Sequence, residues 1–189
     1  MELLKQRIQR DGSIADGNII KVDSFLNHQI DVPLLNEIGK EFQKRFASEK
    51  VNKILTIEAS GIAIAVIAAQ YFHVPVVFAK KSESKNLDIE TYESTVYSYT
   101  KDKIYTIRVS KKYLKEGENI LIIDDFLANG KAAKGLLDII EKAKCNPAGI
   151  GIVIEKGFQK GGKEIREQNI KLESLAIIDG VKNGEIIFR

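Results

Sequence analysis

Ile120-Leu121-Ile122-Ile123-Asp124-Asp125-Phe126-Leu127-Ala128-Asn129-Gly130-Lys131-Ala132 joins an apolar run to two adjacent carboxylates and a loop of small residues. Four consecutive Ile or Leu residues predict a strand buried on both faces, as in a parallel sheet covered by helices. The strand is expected to end at Ile123, leaving the carboxylates facing solvent. Gly130 then opens a helix running to about Ala143. The free N–H groups at a helix start, with a dipole equivalent to roughly half a charge, form an anion site. Ala128, Gly130 and Ala132 let a phosphate approach the backbone closely, and Lys131 adds a cation. Asp124 and Asp125 are acceptors only, so they repel phosphate but suit donating sugar hydroxyls. A phosphate grip beside a diol grip describes a ribose 5-phosphate. The plainer alternative makes the two aspartates a polar strand end and a helix cap, and both readings stand at this point.

Outward from this stretch the chain alternates strands and helices. Asp31 and Pro33 start a helix on which Leu34, Leu35, Ile38, Phe42 and Phe46 recur at helical spacing. Lys53–Glu58 reads as a strand, Ala59-Ser60-Gly61 as a turn, Ile62 to about Phe72 as a small-residue helix and Pro75–Ala79 as the next strand. This βαβ order predicts neighbouring parallel strands. Asn146-Pro147 turns the chain into a strand over Ile150–Ile154, a Gly-rich turn (Gly157, Gly161, Gly162) and short helix follow, and a last run covers Leu172–Ile178. The amino terminus, Met1–Arg10, reads as an amphipathic helix with Leu3, Leu4 and Ile8 on one side, broken at Asp11-Gly12. Residues 14–30 read as irregular or extended. The polar insertion over 80–104 reads as a lid, with Thr95–Tyr99 and Ile104–Val109 pairing as an antiparallel ribbon. The fold expected is α/β: one domain over 1–189 with a Rossmann-like parallel sheet flanked by helices. Ligands of such sheets bind at the carboxyl ends of strands, here Glu58–Gly61, Asp124–Ala132 and Glu155-Lys156.

Composition narrows the chemistry. In 189 residues, 29 basic against 26 acidic side chains leave a formal charge of +3, too little to argue a nucleic-acid partner. A single cysteine, Cys145, excludes an internal disulfide and a cysteine zinc cage, and two histidines, His28 and His73, exclude a multi-His metal site. No signal-peptide core and no run of about 20 apolar residues is present, so no membrane and a cytoplasmic location are expected. Neither a Walker A loop nor a Gly-x-Gly-x-x-Gly fingerprint occurs, and Gly149-Ile150-Gly151 lies inside a strand, where glycines allow close backbone packing.

The segment Ile120–Ala132 resembles the phosphoribosyl-diphosphate (PRPP) motif of type I phosphoribosyltransferases, with Asn129 standing where the family commonly has Thr. Lys21–Asp31, Thr56–Ala63, Asp124–Gly130 and Gly149–Lys156 together resemble the bacterial xanthine-using branch of that family, over about residues 1–180. The resemblance implies a type I phosphoribosyltransferase fold, with a small hood from residues 1–35 and about 156–189 and a flexible lid over 80–104. It implies a purine-salvage transferase that moves the 5-phosphoribosyl group of PRPP to xanthine, giving xanthosine 5′-phosphate and pyrophosphate. By motif, Ala128, Asn129, Gly130, Lys131 and Ala132 would hold the 5-phosphate, Asp124 and Asp125 the ribose hydroxyls, and Ala59, Ser60 and Gly61 the pyrophosphate. Ile20 (through its backbone), Asn27 and Lys156 would read the base; Phe25 or Phe158 offers a stacking surface, with core packing the preferred reading of Phe25. Lys80 and Lys81 would close over the pyrophosphate. Mg²⁺ would be held mainly through PRPP, without protein metal ligands, and the chain would form a homodimer. Two other functions fit less well: a guanine or hypoxanthine phosphoribosyltransferase, and a non-catalytic PRPP-sensing regulator of nucleotide genes.

Overall fold

The computed structural model describes residues 1–15, 19–81, 90–98 and 103–189. Helix α1 (Glu2–Asp11) leads into two short antiparallel strands, β1 (Ser13–Ala15) and β2 (Ile19–Lys21). One π-helical turn, Asp23–Asn27, precedes α2 (Val32–Arg45). Asp31 caps α2 by accepting from the Leu34 N–H at 3.0 Å, and Pro33 sits in its first turn, where a missing N–H costs nothing. Leu34, Leu35, Ile38 and Phe42 form its buried stripe. On α1 only Leu4 and Ile8 turn inward, an i,i+4 pair; Leu3, expected beside them, is 48% exposed.

The central sheet has six strands. β3 (Lys53–Ile57), wholly buried, is followed by α3 (Ser60–Phe72) and β4 (Val76–Ala79), the expected βαβ unit. After the ribbon β5 (Thr91–Ser98) and β6 (Lys103–Ser110), the chain returns to β7 (Asn119–Leu127) on the other side of β3. Then come α4 (Lys131–Lys142), β8 (Asn146–Lys156), the six-residue helix α5 (Gly161–Arg166), β9 (Leu172–Lys182) and β10 (Glu185–Phe188). The order across the sheet is β10-β9-β8-β7-β3-β4, parallel throughout except for β10. Successive crossovers run one way from β3 to β4 and the other way from β7 to β8 and β9. The strand order therefore reverses between β3 and β7, which opens a crevice at their carboxyl ends.

Two expectations change here. β7 does not stop at Ile123 but continues through Asp124 and Asp125 to Leu127, because β8 runs alongside and pairs Phe126 with Ile154 and Leu127 with Glu155. The last run does not stop at Ile178 but continues to Lys182, where Asn183 (φ 52°) and Gly184 (φ 79°) form a two-residue turn that pairs Glu185 with Lys182. Gly149 and Gly151 pack as expected. A Cβ at either would lie 2.6 Å from Phe46 or 2.8 Å from Phe42, so the rings of α2 rest on bare β8 backbone.

The amino-terminal segment and the carboxyl terminus meet. The Met1 amino group donates to the Leu175 carbonyl at 2.5 Å, and Lys5 Nζ to the Arg189 carbonyl at 2.6 Å. Residues 156–189 also supply β9 and β10 to the sheet itself. Within the 80–104 insertion, residues 82–89 and 99–102, Tyr99 among them, lie outside the described residues. The described ribbon pairs Thr95 with Thr106 and Val96 with Tyr105, and buries Val96 and Ile107 against Gly135 of α4.

Candidate active site

Asp124 and Asp125 are 5% and 9% exposed. That overturns the solvent-facing strand end, and it also removes the capping alternative. The residue at the start of α4 is Gly130, in the left-handed region at φ 75°, and no side chain caps that helix. The Asp125 N–H donates to Asp124 Oδ1 at 3.0 Å, and the Phe126 N–H to Asp125 Oδ1 at 2.9 Å. Burial drives the Asp124 pKa well above its ordinary value, and repulsion from Asp125 adds to it; the Asp125 N–H and the Lys81 charge pull the other way. A buried acidic pair of this kind is short of donors and cations.

Across the crevice, the turn after β3 enters α3 at Ser60, one or two residues earlier than expected. Gly61 faces the acidic pair. A Cβ there would lie 2.1 Å from Thr56 Oγ1 and 2.9 Å from Asp124 Oδ1, so only glycine fits. Thr56 Oγ1 is buried without a hydrogen-bond partner. Ala59 carries no side-chain cap for the helix, so the N–H groups at the start of α3 remain available to an anion. The second helix start, Ala128–Ala132, borders a cavity of about 220 Å³ that Tyr97, Tyr105 and Phe126 also line.

Lys80 exchanges two backbone hydrogen bonds of 2.9 Å with Arg108 at the root of the ribbon. The Lys81 N–H donates to the Glu58 carboxylate, which ties the start of the 80–104 insertion to the turn after β3. Lys81 Nζ lies 5.4 Å from the centre of the Tyr105 ring. Burial, then the Asp124 charge, raises the pKa of the Tyr105 phenol. Tyr105 and Tyr97 line the cavity beside the Ala128–Ala132 turn and were missed by sequence reasoning; their alternation with buried Val96 and Ile107 on the ribbon was the available signal.

The residues expected to read the base stand on separate elements. Lys156 closes β8, and burial alone lowers its pKa. Its Nζ lies 5.8 Å from the centre of the Phe126 ring, a cation beside an aromatic face. Ile20 is buried in β2, within the same apolar cluster as Ile154 and Phe126. Asn27 ends the π-helical turn and is exposed, and no hydrogen bond among the described residues joins it to Lys156. Of the two stacking candidates, Phe25 is fully buried in the core beneath the Arg7 guanidinium, and Phe158 is 43% exposed on the turn after β8. The ring beside Lys156 is Phe126, whose place directly after the aspartates was the overlooked clue.

Among the described residues, no group of three or more His, Cys, Asp or Glu side chains is placed to hold a metal ion. No helix among them is long and apolar enough to cross a membrane.

The chain belongs to the phosphoribosyltransferase family: the family model described as "Phosphoribosyl transferase domain" matches residues 22–183. Its fold agrees with solved adenine phosphoribosyltransferases. That of Leishmania tarentolae superposes with a TM-score of 0.76 at 18% identity, covering 96% of this chain and 90% of that one. That of Saccharomyces cerevisiae, bound to an imino-altritol bisphosphate and adenine, gives 0.74 at 19% identity, covering 93% and 99%. In sequence the chain is similar end to end to xanthine phosphoribosyltransferases. It is 66% identical to that of Alkaliphilus metalliredigens over 189 residues, covering 100% of this chain and 94% of that protein. It is 62% identical to that of Clostridioides difficile over 190 residues, covering all of both. The family resemblance and the parallel α/β fold read from the sequence are thus borne out.

Proposed function

We propose that this chain is the transferase its full-length relatives are named for, moving the phosphoribosyl group of PRPP to xanthine and releasing pyrophosphate. The observation that carries the reading is the crevice between β3 and β7. A buried acidic pair faces one helix start stripped of side chains at Gly61 and adjoins a second at Gly130. Ala128–Ala132 then binds the 5-phosphate, the turn at Ala59–Gly61 binds the pyrophosphate, and Asp124 and Asp125 accept from the ribose hydroxyls between them. Breaking the bond from the sugar C1 to pyrophosphate leaves positive charge on the ring. The same carboxylates, buried on β7, stabilise that charge. Lys81, linked through its N–H to Glu58, offsets charge on the departing pyrophosphate; Lys80 belongs to the ribbon root behind it.

The base enters beside Lys156 and Phe126. A donor-only ammonium suits a 6-oxo group and rejects a 6-amino group, because the wrong base would leave a buried donor unpaired. Ile20 and Asn27 complete this face from the amino-terminal segment. The sparse donor set fits Mg²⁺ that arrives as the PRPP complex, where Asp124 and Asp125 would be the side chains to receive it. Bound there, the ion would neutralise charge on the pyrophosphate. A cytoplasmic homodimer without nucleic-acid partners belongs to the same reading.

Steady-state assays with PRPP, Mg²⁺ and each of xanthine, guanine, hypoxanthine and adenine test it. Xanthine is expected to give the highest kcat/KM and adenine none. Lys156→Ala is expected to raise the KM for xanthine by about 10- to 100-fold, the loss of one charged hydrogen bond, and leave that for PRPP little changed. A preference for guanine or hypoxanthine reassigns the base, and no turnover with any purine leaves the PRPP sensor.

A further inference from the structure

Helix α5 has no part in the chemistry above, yet it is fastened on three sides. Glu155, 2% exposed, receives two hydrogen bonds of 2.7 Å from the Arg166 guanidinium and a third from the Ser174 hydroxyl. Burial pushes the Glu155 pKa up, but Arg166 and Ser174 outweigh it and hold the carboxyl below its ordinary range. Gly162 leaves room for this pair, since a Cβ there would lie 2.0 Å from Glu155 Oε1. Glu164 pairs with Lys134 on α4, the helix that the phosphate turn opens. The amino end of α5 then lies directly on that turn. The Gly161 N–H donates to the Ala128 carbonyl at 3.1 Å. A Cβ at Gly161 would lie 2.4 Å from that oxygen and 2.5 Å from the Gly130 nitrogen.

We propose that Glu155 and Arg166 act as positioning residues: they clamp α5 so that Gly161 fixes the shape of the turn Ala128–Ala132 that receives the 5-phosphate. This rests on the assignment of that turn under the proposed function. The geometry suits the role. Glu155 pairs with Leu127 across the β7–β8 ladder, so the clamp stands at the residue where the turn begins. A bidentate guanidinium–carboxylate pair fixes orientation as well as distance. Ala128–Gly130 carries neither a bulky side chain nor a side-chain cap, so its conformation has to be held from outside. Lys156 follows Glu155 directly, but successive strand residues point to opposite faces, so the clamp bears on phosphate and not on base.

The test compares wild type, the double variant Glu155→Gln with Arg166→Gln, and Gly161→Ala. The double variant leaves no buried unpaired charge, which keeps it folded. Gly161→Ala pushes on the turn itself. Ribose 5-phosphate affinity is measured by calorimetry on protein shown folded by circular dichroism, and KM values for PRPP and xanthine by steady-state kinetics. Both variants are expected to bind ribose 5-phosphate and PRPP about 10- to 100-fold more weakly, the size of effect a displaced binding group produces, with the KM for xanthine unchanged. If Gly161→Ala does not fold, the double variant decides. Wild-type ribose 5-phosphate affinity in the variants, or a uniform loss of all parameters in step with the folded fraction, overturns the clamp and leaves the transferase standing. A wild-type protein that turns over PRPP but binds no ribose 5-phosphate overturns the clamp's assumed ligand. One that does neither overturns the proposed function as well.

Discussion

Asp124 is a group whose burial works against the free protein. The unfolded chain ionises it near its ordinary pKa of 3.8, whereas the folded chain holds the proton to a higher pH, chiefly through burial. The folded state therefore binds the extra proton. Stability is undiminished below the unfolded value, falls as pH rises through the folded pKa, and stays reduced above it. Asp124→Asn keeps an oxygen acceptor for the Asp125 N–H but removes the ionisation. It is expected to melt higher than wild type at pH 7, by a margin that shrinks as pH falls from the folded pKa toward about 4 and is gone below it, where folded and unfolded chains are both protonated. Its turnover is expected to fall about 10²- to 10³-fold, as when one preorganised electrostatic group is lost. Thermal scans across pH with steady-state rates check this. A variant less stable than wild type at pH 7 would mean that the ionised carboxylate is stabilised by the fold.

At the scale of elements, the ribbon rests on α4 through a close fit at Gly135. A Cβ on Gly135 would lie 2.6 Å from Val96 and 3.2 Å from Ile107, so any larger side chain on α4 pushes β5 and β6 away. Gly135→Val is expected to speed amide exchange across the β5–β6 pairs by about tenfold or more, while the β7 and β8 amides keep their protection, since local opening is separable from global unfolding. The KM for PRPP should rise with it, because Tyr97 and Tyr105 line the phosphate-side cavity. Unchanged exchange would show that the ribbon is held by other contacts. Elements with local causes were legible in the sequence. Asp31 and Pro33 marked α2, and the Ile120–Ile123 run marked β7. The extension of β7 to Leu127 was not legible, because a strand rich in Asp is sustained by pairing with β8, which local propensity does not contain. The β9–β10 turn at Asn183-Gly184 was legible and went unread, although Asn-Gly between apolar runs is a strong hairpin signal. The function of Gly161 was hidden for a different reason: its contact, Ala128, lies more than thirty residues away in sequence.

For the whole molecule, the topology decides what can be bound without substrate. The reversal of strand order between β3 and β7 gathers two separate segments into one crevice: the turn at Gly61 after β3, and the end of β7 with its acidic pair and the Ala128–Ala132 turn. Both segments offer backbone N–H groups, which bind anions, and the second also offers buried acceptors, which bind sugar hydroxyls. Nothing among the described residues gathers three acidic or imidazole ligands for a cation. A ligand that binds only the native state raises the melting temperature by mass action, about 2.7 kcal/mol at a concentration 100 times its Kd. Mg²⁺ alone is therefore expected to leave the melting temperature unmoved at millimolar concentration. PRPP with Mg²⁺ should raise it, and PRPP with EDTA should raise it less, because the anion sites remain but the charge on the pyrophosphate is unneutralised. The three conditions are compared by differential scanning fluorimetry at constant ionic strength. A shift with Mg²⁺ alone that equals the shift with Mg²⁺ and PRPP would mean that the crevice holds a resident metal, and that Asp124 and Asp125 serve the ion before they serve the sugar.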